Sequence, residues 1–290
     1  MFKIGIIGTE STHALAFAKY YNLVDPQTGN YHHEDVRVTA VYGTDKAANE
    51  KIVSEAGVET VVENIEDLIG LVDAVMITSR WGSQHLQQAL PFVQRRIPLF
   101  IDKPFTSDPA EADLLVAKIQ EFNCPVMGGS ACKYVPDVKK IKELVAKLRA
   151  EGVFNGASMS FRVMLESPYD GIYFYAPHLV EMCLEIFGLD TKNVQAMRTG
   201  QNLLVNVQYE NDAVSLQFVA SGKQSCVIYS KEQNYYFDIS VDGHYALEAA
   251  LFADLLHGTQ ESLRADELAK HVHIIAAIKK SMEIGQIITL

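Results

Sequence analysis

A lysine at the carboxyl end of a parallel strand faces the crevice in which open α/β sheets bind their ligands. Lys103, in Leu99-Phe100-Ile101-Asp102-Lys103-Pro104-Phe105, has that setting. Its ammonium can stabilise developing negative charge or relay a proton, although a lysine before a turn-forming proline is as often a solvated surface group. A histidine can exchange a proton near neutral pH. His178, in Tyr175-Ala176-Pro177-His178-Leu179-Val180-Glu181, opens a helical pattern, where the plain alternative is a ring bonded to a backbone carbonyl.

A second chemical signal lies at the amino terminus. Lys3-Ile4-Gly5-Ile6-Ile7-Gly8-Thr9-Glu10-Ser11-Thr12-His13-Ala14 passes from an apolar run into a helical pattern, where a phosphate-cradling G-x-G-x-x-G belongs. Only Gly8 fits it; Glu10 takes the second glycine position and His13 the third. Peptide N–H groups at the helix start, with Thr9 and the hydroxyls of Ser11 and Thr12, can still meet a phosphate. The Glu10 carboxylate opposes one, so weakened cofactor binding is expected.

An acid that grips the adenosine ribose usually follows the loop by about 20 residues. Here Gly43, 35 residues after Gly8, and Thr44 follow the second strand, and Asp45 comes late. The choice between NAD and NADP stays open, as does Lys46, which could meet a 2′-phosphate or simply begin an exposed helix. Past the fourth strand, Thr78, Ser79, Arg80 and Trp81 stand where a nicotinamide or a substrate could be touched, with packing on a neighbouring helix as the alternative for the indole.

These residues need a scaffold. Apolar runs at 2–7, 36–42, 59–62, 73–78, 98–101 and 125–127 alternate with helical patterns at 12–23, 46–56, 83–94 and 108–122. Such alternation predicts a doubly wound parallel sheet, a Rossmann domain over 1–124. After a helix at 135–149, period-2 strands follow at 154–163, 194–199, 203–209, 213–220, 225–230 and 235–241. They predict an open, mainly antiparallel sheet in an α+β domain over 125–290, with helices at 176–187, 245–256 and 265–284 and a cleft between the domains. Apolar residues such as Val205, Val207, Val214, Leu216, Phe218 and Val227 suggest two apolar sheet faces. A homo-oligomer, a dimer or dimer of dimers, is expected to cover the second.

The 290 residues carry 25 Lys plus Arg against 36 Asp plus Glu, a net charge of −11, with no basic tract suited to nucleic acid. No apolar run reaches the ~20 residues of a membrane helix, so a cytoplasmic protein without a membrane partner is expected. Cys124, Cys132, Cys183 and Cys226 lack metal spacing and are expected to be reduced and mostly buried. His32-His33 lie in an acidic insertion, and His271 and His273, two apart on a helix, suit solvated or interhelical roles. No metal site is expected.

The order of signals resembles the Gfo/Idh/MocA family of NAD(P)-dependent oxidoreductases over essentially the whole chain. Asp102-Lys103-Pro104 is similar to the family's E-K-P, and it follows Val72-Asp73-Ala74-Val75-Met76-Ile77-Thr78 and His85 as the matching segments do there. Gly129 to Pro136 resembles the G-F-N-x-R-F-x-P junction, with Tyr134 at the aromatic position, and residues 249–258 resemble the closing helix. Tyr175 to Glu181 resembles D-x-G-x-H-x-x-D, with His178 on the catalytic histidine and Glu181 on the trailing acid.

The resemblance implies NAD or NADP held by the loop residues above together with Thr44, His85, Asp102, Lys103 and Pro104. It implies a small substrate held by Lys103, Tyr134, Tyr173, Tyr175, His178 and Glu181, with Lys103 and His178 catalytic. The chain departs at Phe174, where the family has an aspartate. Two function classes follow: a dehydrogenase or reductase acting on a sugar, cyclitol or similar hydroxy or carbonyl compound, and a non-catalytic binding or regulatory protein on the same scaffold.

Overall fold

The computed structural model describes residues 1–290. The first half runs β1 (Phe2–Ile7), α1 (Thr12–Asn22), β2 (Val36–Tyr42), α2 (Lys46–Ala56), β3 (Thr60–Val61), β4 (Ala74–Ile77), α3 (His85–Val93), β5 (Leu99–Asp102), α4 (Pro109–Phe122) and β6 (Val126–Gly129). Then come α5 (Pro136–Ala150), β7 (Phe154–Arg162), α6 (Ala176–Phe187), β8 (Asn193–Thr199), β9 (Asn202–Gln208), β10 (Ala213–Val219), β11 (Ser225–Ser230), β12 (Asn234–Asp238), α7 (His244–His257), α8 (Ala265–Ile284) and β13 (Ile288–Thr289).

The chain divides into two compact units, residues 1–129 with 245–269, and residues 130–244 with 270–290. A single cut after residue 124 therefore differs from this division, because α7 and the start of α8 return to the first unit.

In the first unit six parallel strands lie in the order β3-β2-β1-β4-β5-β6. This is the Rossmann order, which reverses direction between β1 and β4 and opens a ligand crevice at their carboxyl ends. All four residues of β4 and of β5 are buried, as strands covered by helices on both faces require. Capping side chains fix where the helices begin. Ser11 accepts the His13 N–H at α1, Asp45 those of Ala47 and Ala48 at α2, and Asp108 those of Ala110 and Glu111 ahead of Pro109 at α4. From α7, Ala249, Phe252 and Ala253 join Ile4, Phe17 and Phe100 in one apolar core, and the Tyr21 hydroxyl donates to the Ala249 carbonyl at 2.6 Å.

The second unit holds a seven-stranded sheet in the order β12-β11-β7-β10-β9-β8-β13. It is mixed rather than wholly antiparallel. The β8–β9–β10 meander returns so that β10 runs parallel to β7, with Val214 opposite Ala157 and Phe218 opposite Phe161. The edge strand β13 is two residues long, too short for a period-2 pattern to announce it.

The sheet also corrects the expectation of two apolar faces. Val205, Val207, Val214, Leu216 and Phe218 all lie on one face and are fully buried; only Val227 is on the other. Beside Val227 the open face mixes Leu204, Met197 and Tyr236, the last two exposed, with amides and hydroxyls. Ser215 donates to Asn206 at 2.7 Å, Gln217 to Ser158 at 3.1 Å, and Ser160 and Ser225 share a bond of 2.8 Å. The polar side chains of this face are thus paired within the sheet, with the exposed apolar groups between them. No helix is long and apolar enough to cross a membrane.

Candidate functional site

At the carboxyl edge of the first sheet, the loops after β1 and β4 meet. Gly8 has φ +94°, and a Cβ there would lie 2.3 Å from the Ser79 backbone nitrogen, so glycine is what lets the loops touch. Thr78 reinforces the junction, its buried hydroxyl bonded to the carbonyls of Ile7 at 3.0 Å and Gly8 at 3.1 Å. The half-buried Glu10 adds a third link, its Oε1 accepting the Arg80 backbone N–H at 3.2 Å. Arg80 and Trp81 are half-buried on the same loop, and Thr12 is exposed at the helix start.

The neighbouring edge of the crevice is closed to an acid. A Cβ on Gly43 would fall 1.8 Å from Thr9 Oγ1, and that hydroxyl donates to Asn49 Oδ1 at 2.6 Å while Asn49 Nδ2 donates to the Gly43 carbonyl at 2.8 Å. The nearest carboxylate, Asp45, caps α2, and Thr44 beside it is exposed. The residues at Gly8 and the α1 terminus thus suit a dinucleotide phosphate, while Glu10 and Gly43 each remove a feature that would strengthen the grip.

Lys103 directly follows β5 with 5% of its surface exposed, its peptide to Pro104 cis. Asp102 beside it is buried and does not face outward. Its carboxylate takes the Lys103 N–H at 2.7 Å and contacts His13 Nδ1 at 2.6 Å. Burial pushes the Asp102 carboxyl up, but the His13 ring, the Lys103 ammonium and the Lys103 N–H together hold it below the usual carboxylate range. The third glycine of the phosphate motif has therefore become a group that engages Asp102, with the Tyr245 ring 4.6 Å from the His13 ring.

His85 is fully buried, its Nε2 2.9 Å from the Ser79 carbonyl. Burial holds the imidazole below its ordinary range, so it is neutral at pH 7 and donates through Nε2. It positions the loop after β4 from beneath rather than presenting its ring to a ligand.

In the second unit His178 sits in the first turn of α6. Its Nδ1 lies 2.7 Å from Ser130 Oγ and 3.5 Å from Cys132 Sγ, and the Phe161 ring stacks on it at 5.4 Å. Ser130 is fully buried, and its Oγ also accepts the Cys132 N–H at 3.2 Å. A hydroxyl can accept Nδ1–H as well, and in that tautomer the ring's lone pair is on Nε2. Ser130 thereby stands as an orienting group for the imidazole in a chain whose position 174 is Phe.

Glu181 is buried one turn further on, and its carboxylate serves the protein. Oε2 accepts the Ser130 N–H at 2.9 Å and Lys133 Nζ at 2.8 Å, and Oε1 lies 3.4 Å from His271 Nδ1 of α8. His271 has the interhelical role expected of it. Tyr173 is buried with Lys279 Nζ 5.2 Å from its ring centre, Tyr134 is half-buried with Lys133 Nζ at 5.1 Å, and Tyr175 is half-buried 6.3 Å from the His178 ring. Tyr175, Phe161 and the segment after β7 line a cavity of about 580 Å³.

Two participants were not singled out by the sequence: His13 was visible only as a missing glycine and Ser130 only as a residue of the junction. For His271 the interhelical role was legible but its partner Glu181, 90 positions away, had no local signal. The four cysteines are thiols outside any disulfide and are buried, as expected.

Residues 2–130 match the family model GFO_IDH_MocA, described as an oxidoreductase family with an NAD-binding Rossmann fold. No curated protein matches the chain by sequence. Among solved structures, scyllo-inositol dehydrogenase from Lactobacillus casei with NAD(H) and scyllo-inositol superposes with TM-score 0.82 at 15% identity, covering 100% of this chain and 99% of that one. Myo-inositol 2-dehydrogenase from Lactobacillus plantarum gives 0.83 at 16%, with coverage of 100% and 99%. An oxidoreductase from Agrobacterium radiobacter in complex with NAD+, L-tartaric acid and magnesium gives 0.80 at 15%, with coverage of 99% and 98%. At these identities the likeness shows a shared fold along the whole chain. Residues 2–130 thus carry a match to the Gfo/Idh/MocA oxidoreductase family model and its NAD-binding Rossmann fold, and the likeness along the rest of the chain is one of fold.

Proposed function

We propose that the protein is a nicotinamide-dependent dehydrogenase or reductase acting on a small hydroxylated compound, a cyclitol, a sugar or a related carbonyl. The observation that carries this reading is Lys103, a largely buried ammonium at the carboxyl end of β5 in a Rossmann sheet of this family. Gly8, Ser11 and the peptide N–H groups at the start of α1 would hold the cofactor, and Ser79 and Arg80 adjoin them. When bound, the nicotinamide supplies the two-electron acceptor or donor.

The remaining chemistry belongs to side chains. Oxidation of a carbinol needs a base for the hydroxyl proton and a cation or donor to stabilise the developing alkoxide. His178, oriented through Nδ1 by Ser130, takes the proton at Nε2, and Lys103 provides the positive charge. Tyr175, beside His178, offers a hydroxyl to the substrate. The inositol dehydrogenases of the same fold favour cyclitols and sugars as the first compounds to assay.

A second reading has its own support. Phe174 in place of an acid and Glu10 bonded to the Arg80 N–H both suit a chain that binds a small molecule without turning it over. Absorbance at 340 nm with NAD+ and NADP+ over a panel of cyclitols and sugars separates the two. Turnover that falls by about 10²–10⁴-fold in Lys103→Met, with cofactor affinity kept, supports the enzyme reading. Absence of turnover and of nicotinamide binding at millimolar cofactor, in wild type and in Glu10→Gly alike, replaces it with the binding-protein reading.

A further inference from the structure

The cavity of about 580 Å³ lies wholly in the second unit, at the carboxyl end of β7. Its walls are of two kinds. Phe161 and Val163, both nearly buried, supply apolar surface, and Tyr175 supplies a ring and a hydroxyl. The polar wall carries two guanidinium groups, Arg162 and Arg198, against one carboxylate, Glu166. Arg198 is engaged, bonded to Glu166 Oε1 at 2.6 Å and to the Gly200 carbonyl at 2.9 Å. Arg162 is exposed at the end of its strand and forms no ion pair. The cavity therefore holds an excess of one positive charge in a chain whose net charge is −11.

We propose that this cavity binds a small hydroxylated anion, a sugar acid or a sugar phosphate, with Arg162 as the group that recognises the anion. A guanidinium presents a planar pair of N–H donors that match carboxylate or phosphate oxygens, and such charge-assisted bonds are the strong ones. The rest of the wall suits the rest of such a molecule: Tyr175 for hydroxyls, Phe161 and Val163 for the carbon skeleton. Two of these residues also touch His178. Phe161 stacks on its ring at 5.4 Å, and the Tyr175 ring is 6.3 Å away, so the cavity is separated from the imidazole by one layer of side chains. The identification of this molecule as the substrate rests on the dehydrogenase reading; its binding does not.

Calorimetric titration of the full chain without cofactor tests this, with D-glucuronate, D-glucose 6-phosphate and D-glucose as probes. One or both anions should bind at least about tenfold more tightly than glucose, and the tighter of the two identifies carboxylate or phosphate as the recognised group. Arg162→Gln should remove the preference. Glu166→Gln, which takes away the competing carboxylate, should tighten the anion by about two- to fivefold, a gain that misfolding cannot produce. The proposal is overturned if neither anion binds up to about 10 mM, if glucose binds as well as they do, or if Arg162→Gln leaves the preference intact. Because no cofactor is present, either result is independent of whether the protein turns a substrate over.

Discussion

Glu10 accepts the backbone N–H of Arg80 at 3.2 Å, so one carboxylate joins the loop after β1 to the loop after β4 across the point where the strand order reverses. The acid is thus a strut, and its charge stands where a dinucleotide phosphate is expected. Two unit charges about 5 Å apart at an effective dielectric near 20 repel by roughly 3 kcal/mol, about a hundredfold in affinity before screening. Glu10→Gly should tighten NAD(P)H by an amount approaching that at low salt, and Glu10→Gln, which keeps an acceptor for Arg80, should do nearly as well. Fluorescence titration checks both, and the gain should shrink as salt rises. Unchanged affinity in the two variants would remove charge as the reason for weak binding.

Ser130→Ala should disturb His178 without moving α6. On the dehydrogenase reading the hydroxyl 2.7 Å from Nδ1 accepts Nδ1–H and holds the ring in one tautomer, which alanine cannot do. Histidine-labelled nitrogen NMR should show one neutral tautomer of His178 in wild type and a mixture in the variant. Turnover should fall by about tenfold or more, with cofactor affinity unaffected. A single unaltered tautomer in the variant would show that Ser130 does not orient the ring.

Asp102 links stability to pH. Its folded carboxyl is held below the ordinary aspartate value of about 3.9, so its contribution is complete above that pH and is lost as pH falls through the depressed folded value. Asp102→Asn should therefore lower the Tm most at neutral pH, with the gap to wild type closing as the pH drops below about 4. Scanning calorimetry at several pH values checks the sign. A gap that widens on acidification would exclude the depressed carboxylate as its origin.

The thiols should be silent in the native state. Burial pushes Cys124, Cys183 and Cys226 up to about 12, and Cys132 is 2% exposed. The thiolate is the reactive form, so Ellman's reagent should titrate none of the four at pH 8 and all four in guanidinium. Fast reaction of one thiol would locate a region that opens locally.

Strand and helix positions were legible because each rests on a local period. β1, β2, α2, α6, β11 and α8 begin and end where the pattern places them. Lys103 and His178 were legible by type and context. What the chain conceals is pairing across distance. The parallel contact of β7 with β10, the shared face of Val205, Val207, Val214, Leu216 and Phe218, and the His271 contact with Glu181 all depend on register and on helices far apart in sequence. The role of Glu10 was half visible: its charge could be read from position, but its acceptance of the Arg80 N–H needed the loop after β4 in place.

The return of α7 to the first core has a consequence for how the chain is made. The acceptor of the Tyr21 hydroxyl, the Ala249 carbonyl, is translated 228 residues later. A nascent chain that has just emerged past Gly129 has all six strands of its first sheet but no cover for Phe17 and Phe100, which wait for Phe252. Vectorial folding on the ribosome therefore cannot close the Rossmann core before strands β7 to β12 of the second sheet have been synthesised, and the interval between emergence of β6 and of α7 is when this protein most needs a chaperone.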